Sequence, residues 1–385
     1  MTGNVMGNII IVGDLFPVPS NFSRFSSGDI PYLIGDELCR LFKDASYRIC
    51  NLEGALTDNP GKCEKTGPVL YAPTATHNAY KALGIDCCTL ANNHITDAGS
   101  EGVYDTMKVL DAAGISHIGA GNLDAIEREL IFDVDGLKIG LYNVAETMYN
   151  APGEGKPGAF LYDELIVCRD LERLKRSVDY IIVIYHGGAE KFRYPSPQTR
   201  RRFHRMVDYG ANMILSQHTH CVGSEEYYNG AYLLYGQGNF LFRSLNNEFT
   251  DTGLVVELQF EGKVPTVKKH LVRAVGDRAV YDENQDFSSF YERSARIGDE
   301  AFLTEQFKKY CLQELPLYLN AYKGKNLVYR VIGRFFPDFR NRLVKKSYSR
   351  WQMMFMLHSI RSEQNREIVT EGLETLLDDL KCNAV

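Results

Sequence analysis

Several short apolar runs in this chain end on side chains able to hold a ligand, and this repeated ending restricts the fold more than any other feature. Asn8-Ile9-Ile10-Ile11-Val12 leads to Gly13-Asp14, and Arg48-Ile49-Cys50-Asn51-Leu52 leads to Glu53. Ile85 to Leu90 runs into Ala91-Asn92-Asn93-His94-Ile95-Thr96-Asp97. Tyr180 to Tyr185 stops at His186, and Met213-Ile214-Leu215 at Ser216-Gln217-His218-Thr219-His220. In a sheet interior each of these polar groups would need a hydrogen-bond partner or face a large desolvation cost. At the carboxyl end of a strand they lie where α/β proteins bind their ligands.

Helical spacing fills the intervals. It predicts helices over 35–42, 74–83, 99–113 (closed by Gly114 as a C′ residue), 163–177 and 198–209. Asp135-Gly136, Asn229-Gly230 and Glu261-Gly262-Lys263 lie between strand-like runs and predict hairpins, so antiparallel pairing joins the alternating βα pattern. Residues 16–30 are too irregular to assign, and 57–73 and 144–162 read as long loops, the kind that serve a site. From about Asp277 the residues turn to Phe, Tyr, Arg, Lys and Leu at helical spacing. The expected division is a main domain over 1–276 and a helical C-terminal subdomain over 277–385.

A formal charge of −6 leaves no electrostatic footprint for nucleic acid. No window of about 18 consecutive apolar residues is present, so no transmembrane segment is expected. Met1 to Asn8 lacks the charge and apolar core of a signal peptide, which makes the expected location cytoplasmic. Nine cysteines, without paired spacing, argue against a disulfide framework; Cys50, Cys87, Cys88 and Cys168 read as small buried hydrophobes. Cys221 beside His220 reads the same way.

Two-metal hydrolases hold ions roughly 3.5–4 Å apart with carboxylates to offset charge and imidazoles as neutral ligands. Asp14, Glu53, Asn93, His186, His218 and His220 supply that set, with Glu53 as the bridging carboxylate. In an extended segment His218 and His220 would point to one side and serve different ions. Each residue alone has a plainer reading. Asp14 and Glu53 can be helix caps or surface ion pairs, His186 a hydrogen-bonded core histidine, and Asn92-Asn93 an Asx-type turn.

Gly13-Asp14, Asn51-Leu52-Glu53-Gly54, Ala91-Asn92-Asn93-His94 through Gly99, His186-Gly187-Gly188-Ala189-Glu190, His218-Thr219-His220 and Gly238-Asn239-Phe240 follow one another along the chain. Together they resemble the CapA family of poly-γ-glutamate capsule biosynthesis proteins, of the calcineurin-like metallophosphoesterase superfamily, over roughly residues 8–260. The resemblance implies an α/β class fold, a four-layered α/β/β/α metallophosphoesterase-like sandwich. It implies one or two divalent ions (Mn, Zn, Fe or Mg), one held by Asp14, Glu53 and His220 and the other by Glu53, Asn93, His186 and His218. It leaves His94 to act on substrate, with Asp97 either orienting His94 or capping the next helix, Asn239 lining the site and Glu190 bracing His186.

The sequence also departs from the superfamily pattern. Asp14-Leu15-Phe16 stands where Asp-x-His is usual, so one ion lacks an imidazole; a Glu replaces the bridging Asp; and Ser216-Gln217-His218-Thr219-His220 replaces Gly-His-His-Pro-His.

The expected function is a metal-dependent hydrolase of capsule or exopolymer biosynthesis, in which a hydroxide generated by the ions attacks a phosphoester. The alternatives are hydrolysis or transfer at an amide of a γ-glutamyl polymer, and a non-catalytic metal-binding component of an assembly complex. The expected partners are an anionic small-molecule or polymer substrate and other capsule biosynthesis proteins. The latter would meet the basic, aromatic stretch from Tyr322 to Trp351, with Lys323, Lys325, Arg330, Arg334, Arg340, Arg342, Lys345, Lys346 and Arg350. The plainer reading makes Phe335, Phe336, Phe339 and Trp351 core and leaves the charges solvated.

Overall fold

A computed structural model describes residues 7–63, 65–242, 246–322 and 348–382. The chain clusters into two units: Met1–Cys63, Val69–Glu146 and Asn150–Leu303 form one, and Glu64–Pro68, Thr147–Tyr149 and Thr304–Val385 form the other.

In the larger unit the strands are β1 (Asn8–Leu15), β2 (Tyr47–Leu52), β3 (Ala55–Leu56), β4 (Tyr71–Ala72), β5 (Cys87–Thr89), β6 (Ser116–Ile118), β7 (Ala120–Gly121), β8 (Glu129–Val134) and β9 (Leu137–Ala145). They continue with β10 (Gly158–Ala159), β11 (Tyr180–His186), β12 (Met213–Gln217), β13 (Glu225–Tyr228), β14 (Ala231–Leu234), β15 (Asn239–Leu241), β16 (Thr252–Phe260), β17 (Pro265–Val275) and β18 (Arg278–Tyr281). One sheet has the order β18-β17-β16-β1-β2-β5-β6, with β15 also on β1; the other has the order β13-β14-β12-β11-β9-β8. β1, β2, β5 and β6 are parallel, as are β9, β11, β12 and β14.

Side chains alternate faces along each strand, so every central strand feeds two cores. Ile9, Ile11, Ile49 and Cys87 of the first sheet meet Ile139, Leu141, Ile182, Ile184 and Leu215 of the second. Ile10, Val12, Cys50 and Cys88 face outward onto α1 (Phe22–Ser27), α2 (Ile30–Asp44), α3 (His77–Ala82) and α4 (Gly99–Ala113) through Phe25, Leu38, Tyr80 and Val103. Tyr142, Val144, Ile181, Val183 and Ile214 face α5 (Glu164–Leu174) and α6 (Pro197–Asp208) through Leu171, Phe203 and Met206. The result is the four-layered α/β/β/α sandwich. Each such buried side chain contributes about 1.5–3 kcal/mol relative to exposure.

Local chemistry sets the element ends. Asp163 caps α5 by accepting from the Leu165 and Ile166 N–H groups, and Ser196 caps α6 ahead of Pro197. Gly114 closes α4 at φ 73°. The hairpin turns Asp135-Gly136 and Asn229-Gly230 take positive φ at both residues, as a two-residue primed turn requires. Gly35, with φ 71° and ψ 169°, breaks α2 into two helices, so the helix expected from Gly35 is the second of them; the first follows the Asp29 cap, and the stretch with no expected element contains α1. The sheet runs past residue 276: β18 pairs antiparallel with β17, and the unit continues to Leu303.

In the smaller unit Ser349 and Gln352 form a capping box at the start of the helix Arg350–Arg361, which is followed by the helix Glu363–Cys382. Tyr318 donates a hydrogen bond to Asn365 at 2.8 Å and its ring meets Phe355, against which Trp351 stacks. Trp351 is 52% exposed and so is not the core residue expected of it, although its ring stacks on Phe355. Residues 323–347 of the basic stretch, with Phe335, Phe336 and Phe339, lie outside the described residues.

Candidate metal centre

The carboxyl ends of β1, β2, β5, β11 and β12 bring Asp14, Glu53, Asn93, His94, His186, His218 and His220 together, although they come from both sheets. All are buried but His220, whose side chain is 18% exposed. Asp14 is aimed by a register shift between Val12 and Asp14 in the β1–β2 pairing. Gly13 at that shift is obligatory, since a Cβ there would lie 2.3 Å from the Gly238 carbonyl oxygen.

Donor atoms of Asp14, Glu53 and His220 all lie within 4.8 Å of one another, and so do those of Glu53, His186 and His218. Glu53 is common to both groups. Its Oε1 lies 3.8 Å from His186 Nε2, 3.8 Å from His220 Nε2 and 4.0 Å from His94 Nε2. Neither carboxylate oxygen has a hydrogen-bond partner among the described residues, and the side chain is 0% exposed. Asn93 Oδ1 is 2.9 Å from His186 Nε2, which adds an amide oxygen to the second group.

The surrounding contacts orient these groups. Asn51 Nδ2 donates to Asp14 Oδ1 at 2.8 Å, and the His218 backbone N–H donates to Asp14 Oδ2. Asn239 Nδ2 donates to the Thr250 carbonyl, which leaves Oδ1 to accept from His220 Nδ1 at 2.8 Å. His220 Nε2 is then the nitrogen presented to Glu53, and Asn239 acts on the centre through His220. Asp97 Oδ2 lies 2.6 Å from His94 Nδ1 and also accepts the Leu70 N–H at 2.7 Å. Asp97 thus orients His94, and α4 begins without a side-chain cap. Asn92 serves the backbone, donating to the Leu52 carbonyl and accepting from the His94 N–H.

His218-Thr219-His220 is not the extended segment expected. β12 ends at Gln217, and φ is 87° at His218 and 53° at His220. Two non-glycine residues in this region mark stored backbone strain of the kind found at functional sites. Glu190 Oε1 is 4.0 Å from His218 Nε2. Cys221 is buried, and burial pushes its thiol up to about 11.

Burial pushes the Glu53 carboxyl well above the usual carboxylate range, reinforced by the adjacent Asp14 charge. Asp14 is equally buried, yet the His220 hydrogen bond and the charges of His186 and His220 hold it below that range. Burial drives the His186 imidazole well below its ordinary value. At His220 the burial effect is outweighed by Glu53 and Asp14, which hold it up at about 10. Without a ligand the centre is a set of poorly matched buried charges.

Residues whose part was not foreseen surround this set. Asn143, 0% exposed, accepts the Ala91 N–H and donates to the Ile184 carbonyl, tying a strand end of one sheet to a strand of the other. Asn150 donates to the carbonyls of Asn92 and Glu146, and Glu146 accepts the Gly188 N–H. Buried Asn and Glu in or beside apolar runs were the available signal.

A four-layered α/β/β/α sandwich that gathers buried carboxylates and imidazoles at the ends of parallel strands defines the class: an α/β protein with candidate divalent-metal clusters. More particularly, the chain belongs to the family described as "Bacterial capsule synthesis protein PGA_cap", whose profile matches residues 8–244. It is 28% identical over 193 residues to "Capsule biosynthesis protein CapA" of Bacillus anthracis (48% of this chain, 47% of that protein). It is 28% identical over 220 residues to "PGA biosynthesis protein CapA" of Bacillus subtilis (56% and 58%). The chain thus spans about half the length of the curated relatives it matches. Similar solved structures include a hypothetical protein of Thermus thermophilus (TM-score 0.46, 16% identity, 70% of this chain and 100% of that one). A 5'-nucleotidase precursor of the same organism has a TM-score of 0.40 at 14% identity (80% and 58%). Among the described residues no helix is long and apolar enough to cross a membrane.

Proposed function

We propose that this chain is a metal-dependent hydrolase of capsule or exopolymer biosynthesis, holding one or two divalent ions between its two sheets' strand ends. The observation that carries this reading is Glu53, fully buried, with neither oxygen hydrogen-bonded among the described residues and three imidazole nitrogens 3.8–4.0 Å from Oε1. Those separations are too long for hydrogen bonds. Two donors each about 2.1 Å from one ion stand roughly 3.0–4.2 Å apart, which is the spacing found. The residues present therefore fit the group.

Asp14, Glu53 and His220 would hold one ion, and Glu53, Asn93, His186 and His218 the other. Divalent ions there would polarise a phosphoryl or carbonyl oxygen and acidify a water. The chain's own part is to orient and to exclude solvent. Asp97 fixes His94 through Nδ1, so that Nε2 faces the centre and can hand a proton to a leaving atom. Asn239 and Asn51 hold His220 and Asp14 in place. The names of the relatives suggest an anionic polymer of the γ-glutamyl kind as substrate, alongside phosphoesters.

One observation favours a second reading, a metal-binding but non-catalytic component of an assembly complex. Phe16 occupies the place of the usual first-strand histidine and is 2% exposed in the helix-side core, which leaves the first ion with a poorer ligand set.

Divalent metal content and hydrolysis of an aryl phosphate ester with Mn²⁺ separate the two. The expected result is that His218→Ala loses metal, whereas His94→Ala keeps metal and loses turnover. Purified protein without metal, inert with every divalent ion supplied, refutes the hydrolase reading.

A further inference from the structure

A cavity of about 710 Å³ in the larger unit is walled by Thr252 of β16, Leu271 and Arg273 of β17, Phe290 and Arg293 of the helix Ser288–Ser294, and Arg193. Its size is that of a small-ligand site. Two of its arginines lack a matched counter-charge. The Arg193 side chain is 23% exposed, and its carboxylate contact is Glu248, itself 75% exposed, at 3.4 Å. Arg193 Nε is buried with no hydrogen-bond partner among the described residues, and the guanidinium lies 4.6 Å from the Phe249 ring centre. Arg293 donates to three neutral oxygens: Nε to the Gly223 carbonyl at 3.0 Å, Nη2 to the Val222 carbonyl at 3.3 Å and Nη1 to the Ser289 hydroxyl at 3.2 Å. Those bonds fix the plane of the guanidinium without neutralising it. Burial and the neighbouring Arg193 charge pull Arg293 below the ordinary arginine value, against weaker opposing charges that include Glu248. The other carboxylates around the cavity have partners of their own. Asp282 accepts from Arg273 Nε, Asp251 from the Asn247 N–H and the Thr250 hydroxyl, and Asp286 from the Ser288 N–H. Two like charges, partly withdrawn from water and side by side, are relieved by an added anion.

We propose that this cavity binds a carboxylate group, received by Arg193 and Arg293, at a site distinct from the candidate metal centre. A planar guanidinium fork meets a carboxylate through parallel N–H···O bonds, which gives it geometric specificity as well as charge. The acidic lining sets the charge of the occupant. A singly charged carboxylate relieves the arginine pair, whereas a doubly charged phosphate meets twice the repulsion from Glu248, Asp251, Asp282 and Asp286. The segment 218–222 belongs to both places: His218 and His220 present donor atoms to Glu53, and the Val222 carbonyl holds Arg293. A carboxylate in the cavity would therefore anchor an acidic ligand beside the segment that carries the histidines. The inference goes beyond the hydrolase reading and requires no metal ion.

The test is titration calorimetry of the full chain in EDTA at low ionic strength, with glutarate, a short γ-glutamyl oligopeptide and inorganic phosphate as probes. Arg193→Gln is expected to weaken carboxylate binding by about tenfold or more, the loss of a hydrogen bond from a charged donor. Arg193→Lys keeps the charge and lacks the fork, so it should lose less and shows that the site survives substitution. Arg176→Gln removes the same charge from a helix position 76% exposed and should leave binding unchanged. Tighter binding of the oligopeptide than of glutarate assigns the occupant to an acidic chain, and the reverse assigns it to a small free acid; either supports the site. Absence of carboxylate binding by the wild type, wild-type affinity in Arg193→Gln, an equal loss in Arg176→Gln, or phosphate bound more tightly than both carboxylates overturns the inference. None of these results touches the metal-binding reading, which metal content and turnover decide separately.

Discussion

Glu53→Gln should have opposite effects on stability with and without metal, and the structure sets both signs. In the metal-free protein Glu53 is 0% exposed, has no hydrogen bond at either oxygen among the described residues, and sits beside the negative Asp14. Burial and Asp14 together push its carboxyl well above the usual carboxylate range. The native state therefore holds the Glu53 proton more tightly than the unfolded chain does. Its destabilising effect is absent below the unfolded carboxylate value, about pH 4.3, and grows as pH rises above it. Glutamine has the same shape and no charge to desolvate. At pH 7.5 the metal-free variant should be more stable by about 1–3 kcal/mol, the range for an unsatisfied buried polar group. That corresponds to a melting temperature higher by roughly 2–4 °C per kcal/mol in a domain of a few hundred residues.

With metal the order should reverse. A ligand at 100 times its Kd stabilises the native state by about 2.7 kcal/mol, and Glu53→Gln removes the carboxylate common to both groups. The assay is differential scanning calorimetry of both proteins in EDTA and in excess Mn²⁺, at pH 4.5 and pH 7.5. The expected pattern is a variant more stable in EDTA at pH 7.5, equal at pH 4.5, and less stable in Mn²⁺. A metal-free variant less stable than wild type at pH 7.5 would refute the reasoning, because it would mean the protein itself already satisfies the carboxylate.

Two further outcomes are expected. Asp97→Asn should lower turnover by about 10²-fold or more while metal content stays at the wild-type level, since Asp97 contacts His94, which is not among the proposed ligands; loss of metal in this variant would contradict the assignment, with calorimetric metal binding as the check. Glu257, hydrogen-bonded to His270 Nε2 at 2.9 Å, is lowered by that contact from 4.5 to about 2. Its stabilising contribution is complete above pH 4.5 and disappears as pH falls toward 2. Glu257→Gln should therefore lose less stability than wild type across that window, read from urea midpoints at successive pH values.

What the sequence made legible was whatever depends on residues close together in the chain. The apolar runs ending at Asp14, Glu53, His186 and His218 became strands because their alternating residues each had a core to enter. Asp135-Gly136 and Asn229-Gly230 marked hairpins because both residues of each pair tolerate positive φ. Asn143, Glu146 and Asn150 were not legible. The partners of Asn143 stand 52 and 41 residues away, and nothing local tells a buried asparagine that links two sheets from one in a turn.

The failure at His218-Thr219-His220 has a different cause and bears most on function. Histidine tolerates positive φ better than most residues, but residue type alone did not mark these two, since most histidines stay at negative φ; the conformation is imposed by the surrounding structure. Asn239 holds the His220 ring from one side, and the Lys191 N–H holds the Thr219 carbonyl from the other. Strain of this kind costs on the order of 1–3 kcal/mol per residue. It falls in the same few ångströms as Glu53, whose burial carries a separate electrostatic cost. A domain has about 5–15 kcal/mol of net stability in all, so concentrating two independent costs at one point is unfavourable unless both serve one ligand. Straightening the segment would relieve the strain but turn the rings away from Glu53, and neutralising Glu53 would relieve the charge but remove the member shared by both groups. Each unfavourable feature makes sense only in the presence of the other, which is the physical argument for reading these strand ends as a single centre.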